Sequence, residues 1–236
     1  MHTHTPTIPA ISAIPAGHGV HAVPVLPLER STGPDPARIR AVTSFTLSDW
    51  AGKACAVVYL GGCNLRCPTC HNATLAFTPE LHPPLETGAV LASLAARKPW
   101  LDGVVVCGGE PTLDPGLADL VEKLFALGFA VKVDTNGLRP EVVAAVLARC
   151  PDTVFAVDVK GPWDMYPSLT GEGVSAQAAR KRLETVFAMA RKHPQSFLFR
   201  ITLVPGLEPQ DVQAARDSLP AGFVLKEQPY MPPSSR

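Results

Sequence analysis

Neither sign of charge prevails in this chain, where 21 Lys and Arg are matched by 21 Asp and Glu. It lacks the basic field that holds a phosphate backbone, so nucleic acid is not an expected partner. No apolar run is long enough to span a bilayer, and the first residues have neither the charged start nor the continuous apolar centre of a secretory signal. These absences point to the cytoplasm and away from a membrane. A disulfide framework is missing too: Cys55, Cys107 and Cys150 lie singly in apolar neighbourhoods and read as small buried residues in a reducing compartment. Apolar material itself is not scarce, since 46% hydrophobic residues over 236 positions can fill a sizeable core.

Residues 1–40 have no sustained apolar period. They hold seven of the 25 prolines and four of the seven histidines, and close on Pro34-Asp35-Pro36, which reads as a disordered or loosely packed extension before one domain over 41–236. His2, His4, His18 and His21 are metal donors in kind, but their scatter builds no site.

The rest is organised around Gly61-Gly62-Cys63-Asn64-Leu65-Arg66-Cys67-Pro68-Thr69-Cys70-His71-Asn72, directly after the strand-like Ala56-Val57-Val58-Tyr59-Leu60. Three thiols within eight residues can serve one metal centre. Structural zinc sites and electron-transfer clusters normally take four protein ligands, so three would leave a metal position open to a small molecule. His71 is a fourth donor in kind, but it adjoins Cys70, and adjacent side chains rarely converge on one metal.

Apolar runs at 103–107, 130–134, 154–159, 197–204 and 223–225 then alternate with helical patterns at 85–97, 116–127, 140–148, 176–193 and 210–218. With Ala56 to Leu60 that makes about six strands in βα units, a parallel sheet too short for a full eight-stranded barrel. Polar residues gather where these strands end. Gly108-Gly109-Glu110-Pro111 follows one, Asp134-Thr135-Asn136-Gly137 the next, and Asp158-Val159-Lys160 the next, with Asp158 and Lys160 on one face and Val157 and Val159 on the other. Charges on one inner face are costly unless paired or bound to ligand. Arg200, in an otherwise apolar strand, needs an acidic or ligand partner for the same reason. On the 176–193 helix, Arg180, Lys181, Arg182 and Arg191 form a basic face that suits either solvent or an acidic partner.

The spacing Cys63-x3-Cys67-x2-Cys70 resembles the signature of the radical S-adenosylmethionine superfamily. The string from Ser44 to Asn72, with Asp49-Trp50-Ala51-Gly52-Lys53, is similar to activating enzymes of glycyl radical enzymes, above all those of anaerobic ribonucleoside-triphosphate reductase. The resemblance implies a partial (β/α)6 barrel open on one side. It implies a [4Fe–4S] cluster on Cys63, Cys67 and Cys70, with S-adenosylmethionine on the fourth iron. Cofactor contacts are implied for Thr69, His71, Asn72, Gly108, Gly109, Glu110, Pro111, Asp134, Thr135, Asn136, Asp158, Lys160 and Arg200. Lys160 is also placed with the catalytic cysteines, and a monovalent cation is placed between Asp134 and Asp158. Thr69 stands where many members have an aromatic residue, and Met231 where some activating enzymes have a cofactor-contacting histidine.

The activity so implied is reductive cleavage of S-adenosylmethionine to a 5′-deoxyadenosyl radical that takes a hydrogen from a glycine of a partner. That partner would be a glycyl radical enzyme, with anaerobic ribonucleotide reductase favoured and flavodoxin or ferredoxin as electron donor. Two alternatives stay open: the same chemistry on a small molecule, peptide or modified nucleotide, and a non-catalytic iron–sulfur or zinc protein.

Overall fold

The computed structural model describes residues 38–232. The four amino-terminal histidines, and the expected extension as far as residue 37, lie outside the described residues. Arg38 to Arg40 already belong to the folded unit: the Arg38 amide donates to Asp114 (2.8 Å) and Ile39 is fully buried.

Seven strands form one sheet in chain order: β1 (Ile39–Thr46), β2 (Cys55–Leu60), β3 (Gly103–Gly108), β4 (Ala130–Thr135), β5 (Val154–Asp158), β6 (Phe197–Leu203) and β7 (Leu225–Pro229). β1 is antiparallel to β2, and every later pair is parallel. The helices are α1 (Ala73–Phe77), α2 (Thr87–Ala96), α3 (Leu117–Ala126), α4 (Pro140–Arg149), α5 (Tyr166–Leu169), α6 (Ala176–Lys192) and α7 (Pro209–Asp217). Among the described residues β1 and β7 each pair on one side only. The sheet is thus an unclosed barrel with six parallel strands, as the repeated βα pattern implies.

Alternation along the strands separates the two faces. Outward-facing Val104, Val106, Val131, Val133, Phe155, Val157, Phe199 and Ile201 pack in one core with Leu120 and Leu124 of α3, Val143 and Val146 of α4, and Leu183 and Val186 of α6. The inner face carries a small apolar cluster of Cys55, Val57 and Val105 on β2 and β3. In register with these, β4 to β6 turn Lys132, Asp134, Asp158 and Arg200 inward. Helix ends are fixed locally: the Glu86 side chain accepts from Gly88 and Ala89 amides, the Ser175 hydroxyl accepts from Ala178, and Glu208 with Asp211 makes a capping box. On α6, Arg180 pairs with Glu184 (2.8 Å), and Lys181, Arg182 and Arg191 are exposed.

Two strands differ from the sequence expectation. β1 has no clean apolar alternation because it is an edge strand, half exposed over most of its length. The last strand lies over Leu225–Pro229, not 223–225, and its Lys226 and Glu227 are exposed. One neighbour supplies its hydrogen bonds, so it needs no apolar signature.

Candidate active site

The cysteine loop leaves β2 and is held by the loops that follow β3, β4 and β5. Gly109 N donates to Leu60 O (2.9 Å) and Glu110 N to Gly62 O (2.8 Å), lacing the ends of β2 and β3 together. Asn72 Nδ2 donates to Gly108 O (3.0 Å), and Asn136 Nδ2 to Asn64 Oδ1 (2.8 Å). Arg66 N donates to Thr170 O (3.0 Å), so Leu169-Thr170-Gly171 supports the loop from beneath. Gly109 allows this closeness: a Cβ there would lie 2.0 Å from Gly62 O. Gly109→Ala is therefore expected to lose about 1–3 kcal/mol of stability or more by pushing these backbones apart. A fall in urea midpoint checks it; an unchanged midpoint contradicts the lacing.

Cys63, Cys67 and Cys70 are half-buried on one cavity of about 380 Å³ at the carboxyl ends of the strands. Burial pushes the Cys63 thiol up to about 11, and it also raises those of Cys67 and Cys70, partly countered by Lys160. Such thiols stay protonated at neutral pH until a metal displaces the proton. Among the described residues no three His, Cys, Asp or Glu side chains converge on a single ion. The three thiols stand around the cavity, an arrangement suited to a cluster whose irons each take one thiolate.

Glu110, 2% exposed, ties the β3 and β4 loops together. Its Oε1 accepts from Thr112 N (3.1 Å), Thr112 Oγ1 (2.6 Å) and Thr135 Oγ1 (2.6 Å), and its Oε2 from Asn136 N (2.7 Å). Burial still pushes its carboxyl above the ordinary value, against these four donors. Oε2, with one donor, keeps acceptor capacity, and Glu110 lines the cavity.

Across the inner face runs a band of paired charges. Lys132 Nζ donates to Asp134 Oδ1 (2.5 Å) and Arg200 Nη1 to Asp134 Oδ2 (2.9 Å). Arg200 Nε donates to Asp158 Oδ1, and Lys160 Nζ to Asp158 Oδ2 (3.1 Å). Burial opposes the charge on Asp158, but the Arg200 guanidinium and Lys160 ammonium outweigh it and hold the carboxyl below its ordinary range. Likewise the charge of Lys160 survives burial because Asp158 adjoins it, and its backbone amide donates to the buried Tyr166 hydroxyl (3.1 Å). The family resemblance implies a monovalent cation between Asp134 and Asp158; here the Arg200 guanidinium bridges the two.

Thr69, His71, Asn72, Gly108, Gly109, Thr135 and Asn136 also line the cavity. Pro111 is buried next to Glu110 and does not line the cavity. Asp49, Tyr59, Cys107, Thr202 and Gln228 line it without having been singled out as site residues. For Tyr59, Cys107 and Thr202 the signal was the same period of two that placed Asp158. The His71 ring stacks on Tyr230 at 5.4 Å and its Nε2 bonds to Met231 O, so the segment after β7 meets the cysteine loop.

Residues 57–219 match the family model described as the Radical SAM superfamily, and the chain belongs to that superfamily. It is 27% identical over 179 residues to a protein of Methanocaldococcus jannaschii provisionally named a glycyl-radical enzyme activating enzyme, covering 75% of this chain and 73% of that one. It is 31% identical over 169 residues to the 7-carboxy-7-deazaguanine synthase of Koribacter versatilis, covering 68% and 67%. It is 33% identical over 145 residues to the pyruvate formate-lyase-activating enzyme of Clostridium pasteurianum, covering 58% of each. Among solved structures, anSMEcpe with bound AdoMet superposes at a TM-score of 0.56 and 21% identity over 73% of this chain, which spans half of that one. Streptococcus suis SuiB superposes at 0.55 and 15% identity, covering 74% of this chain and 39% of its own. These two show a shared fold. Membership of the superfamily implies a [4Fe–4S] cluster and S-adenosylmethionine. The donor set fits both, with three thiols on one cavity, a buried carboxylate with acceptor capacity and a cationic band beside them. No helix among the described residues is long and apolar enough to cross a membrane.

Proposed function

We propose that this chain activates a glycyl radical enzyme, with anaerobic ribonucleoside-triphosphate reductase the favoured partner. The observation carrying this reading is the meeting of the three-thiol loop with the loops after β3, β4 and β5 on one cavity of an unclosed barrel. A cluster held by these cysteines would supply one electron, drawn from a flavodoxin or ferredoxin, for reductive cleavage of S-adenosylmethionine to methionine and a 5′-deoxyadenosyl radical, which would take a hydrogen atom from the partner's glycine. The protein's work is placement. Cys63, Cys67 and Cys70 would hold three irons, leaving the fourth to the cofactor. Glu110 Oε2, on a carboxylate fixed by four donors, would accept from the cofactor's ammonium, with Gly108, Gly109 and Pro111 shaping that turn. Lys160 and Arg200, held by Asp158 and Asp134, would face its carboxylate, while Thr69, His71, Asn72, Thr135 and Asn136 would line the nucleoside side. Among the described residues β1 and β7 each keep an unpaired edge, and a partner loop would enter on that side.

Anaerobic incubation with the reductase, S-adenosylmethionine and dithionite tests this. The expected result is a glycyl radical doublet in the electron paramagnetic resonance spectrum of the reductase, with about one 5′-deoxyadenosine per radical, since one hydrogen is transferred per cleavage. No doublet on any glycyl radical enzyme would contradict it. A second reading, radical chemistry on a small molecule, is favoured by the likeness to the Koribacter versatilis synthase. Multiple turnovers with such a substrate and no partner protein would establish it instead.

A further inference from the structure

The inner-face charges leave one residue unaccounted for. Lys132 lies in mid-strand on β4 with its side chain 3% exposed, and it does not reach the cavity surface that Asp134, Asp158, Lys160 and Arg200 line. Every carboxylate oxygen of Asp134 and Asp158 already has a cationic partner: Lys132 and Arg200 on the first, Arg200 and Lys160 on the second. Three cations thus stand against two carboxylates, a surplus of one positive charge. A free monovalent cation entering this band would meet three fixed positive charges, and each carboxylate oxygen it could use already holds one of them.

We infer that Lys132 is the resident cation of the site, a positioning residue whose ammonium on Asp134 takes the place of a free monovalent ion. The inference rests on the proposed binding of S-adenosylmethionine at this cavity. Without Lys132 the band would hold two cations and two carboxylates. Asp134 Oδ1 would then open as an ion site, and Asp134 would pull Arg200 away from the cofactor's carboxylate. With Lys132, Asp134 is satisfied from behind, Arg200 is shared between two acids, and the surplus charge matches the one carboxylate the cofactor brings. The charge of a small cation is thereby fixed in the chain, at a point the cavity does not expose.

The test is the dissociation constant of S-adenosylmethionine on anaerobically reconstituted protein, by equilibrium dialysis in potassium, sodium and tetramethylammonium chloride. Equal ionic strength keeps screening constant, so the wild-type constant is expected to stay within about twofold across the three salts. Lys132→Met is expected to bind at least about tenfold more weakly in tetramethylammonium, because one acid loses its buried partner. It should recover affinity in potassium or sodium as a small ion takes the vacated oxygen, a rescue that general damage to the fold would not show. Wild-type affinity that collapses when tetramethylammonium replaces the small ions overturns the inference, as does a variant whose affinity ignores the salt. Wild-type protein that keeps its cluster but binds S-adenosylmethionine in no salt overturns the reading of the site itself, and the inference with it.

Discussion

Arg200→Leu is expected to destabilise the protein by about 3 kcal/mol, among the largest effects of any single change at the site. Breaking a buried ion pair costs about 3–5 kcal/mol when one partner is left behind. Two carboxylates lose a partner here, but Lys132 still holds Asp134 and Lys160 still holds Asp158. The acids also keep 12% and 25% exposure, which places the cost at the low end. The pH dependence supplies a second signature. Because Asp158 has its carboxyl held below the ordinary value, its contribution is present above that value and is lost as pH falls toward the depressed one. In the variant that depression shrinks, so stability should fall less steeply on acidification from about pH 5 downward. Urea titrations across that range check both; a wild-type curve unchanged by the substitution would mean that the band carries no net stability.

Glu110→Ala is expected to cost about 2–6 kcal/mol, because the backbone amides of Thr112 and Asn136 would be left buried without acceptors at about 1–3 kcal/mol each. The hydroxyls of Thr112 and Thr135 are not counted, because a hydroxyl can rotate whereas a backbone amide is fixed. Since Glu110 joins the loops after β3 and β4, its loss should also loosen Asn136 from Asn64 of the cysteine loop. The variant should therefore show faster amide exchange at Asn136 and in the cysteine loop, besides its lower urea midpoint. Full stability together with weaker cofactor binding would assign Glu110 to ligand contact alone.

Much of this was legible in the sequence because chemistry sits where strands end. Short apolar runs fixed five of the six parallel strands nearly to the residue, and each polar cluster followed one of them directly. The strand-end clusters therefore fell on one rim once the strands were parallel. Period-two alternation likewise put Asp158 on the face opposite Val157. Applied one strand earlier, it would have found Lys132, which alternates with Val131 and Val133, but Lys132 is hidden by the apolar average of its strand. The edge strands β1 and β7 were hard to read for the opposite reason: a strand paired on one side leaves residues such as Lys226 and Glu227 in solvent. Partner identities of charged groups lay beyond the sequence altogether. That Arg200 needed an acid could be argued from cost, but that it would bridge two depends on the registry of β4, β5 and β6.

Fold and site are coupled through these same contacts. The outer face of the sheet is apolar and binds helices, which frees the inner face to hold charges that no isolated strand could bury. The loops at the rim hold one another by backbone bonds, so the three thiols are placed by the ends of β2 to β5 and not by their own short segment.

The most direct measurement is formation of 5′-deoxyadenosine. Protein reconstituted anaerobically with iron and sulfide, reduced with dithionite and given S-adenosylmethionine should release it, and Cys67→Ala treated identically should not. Wild-type protein with an intact cluster and bound S-adenosylmethionine that releases no 5′-deoxyadenosine, alone or with a glycyl radical enzyme present, would contradict the assignment of radical chemistry to this cavity.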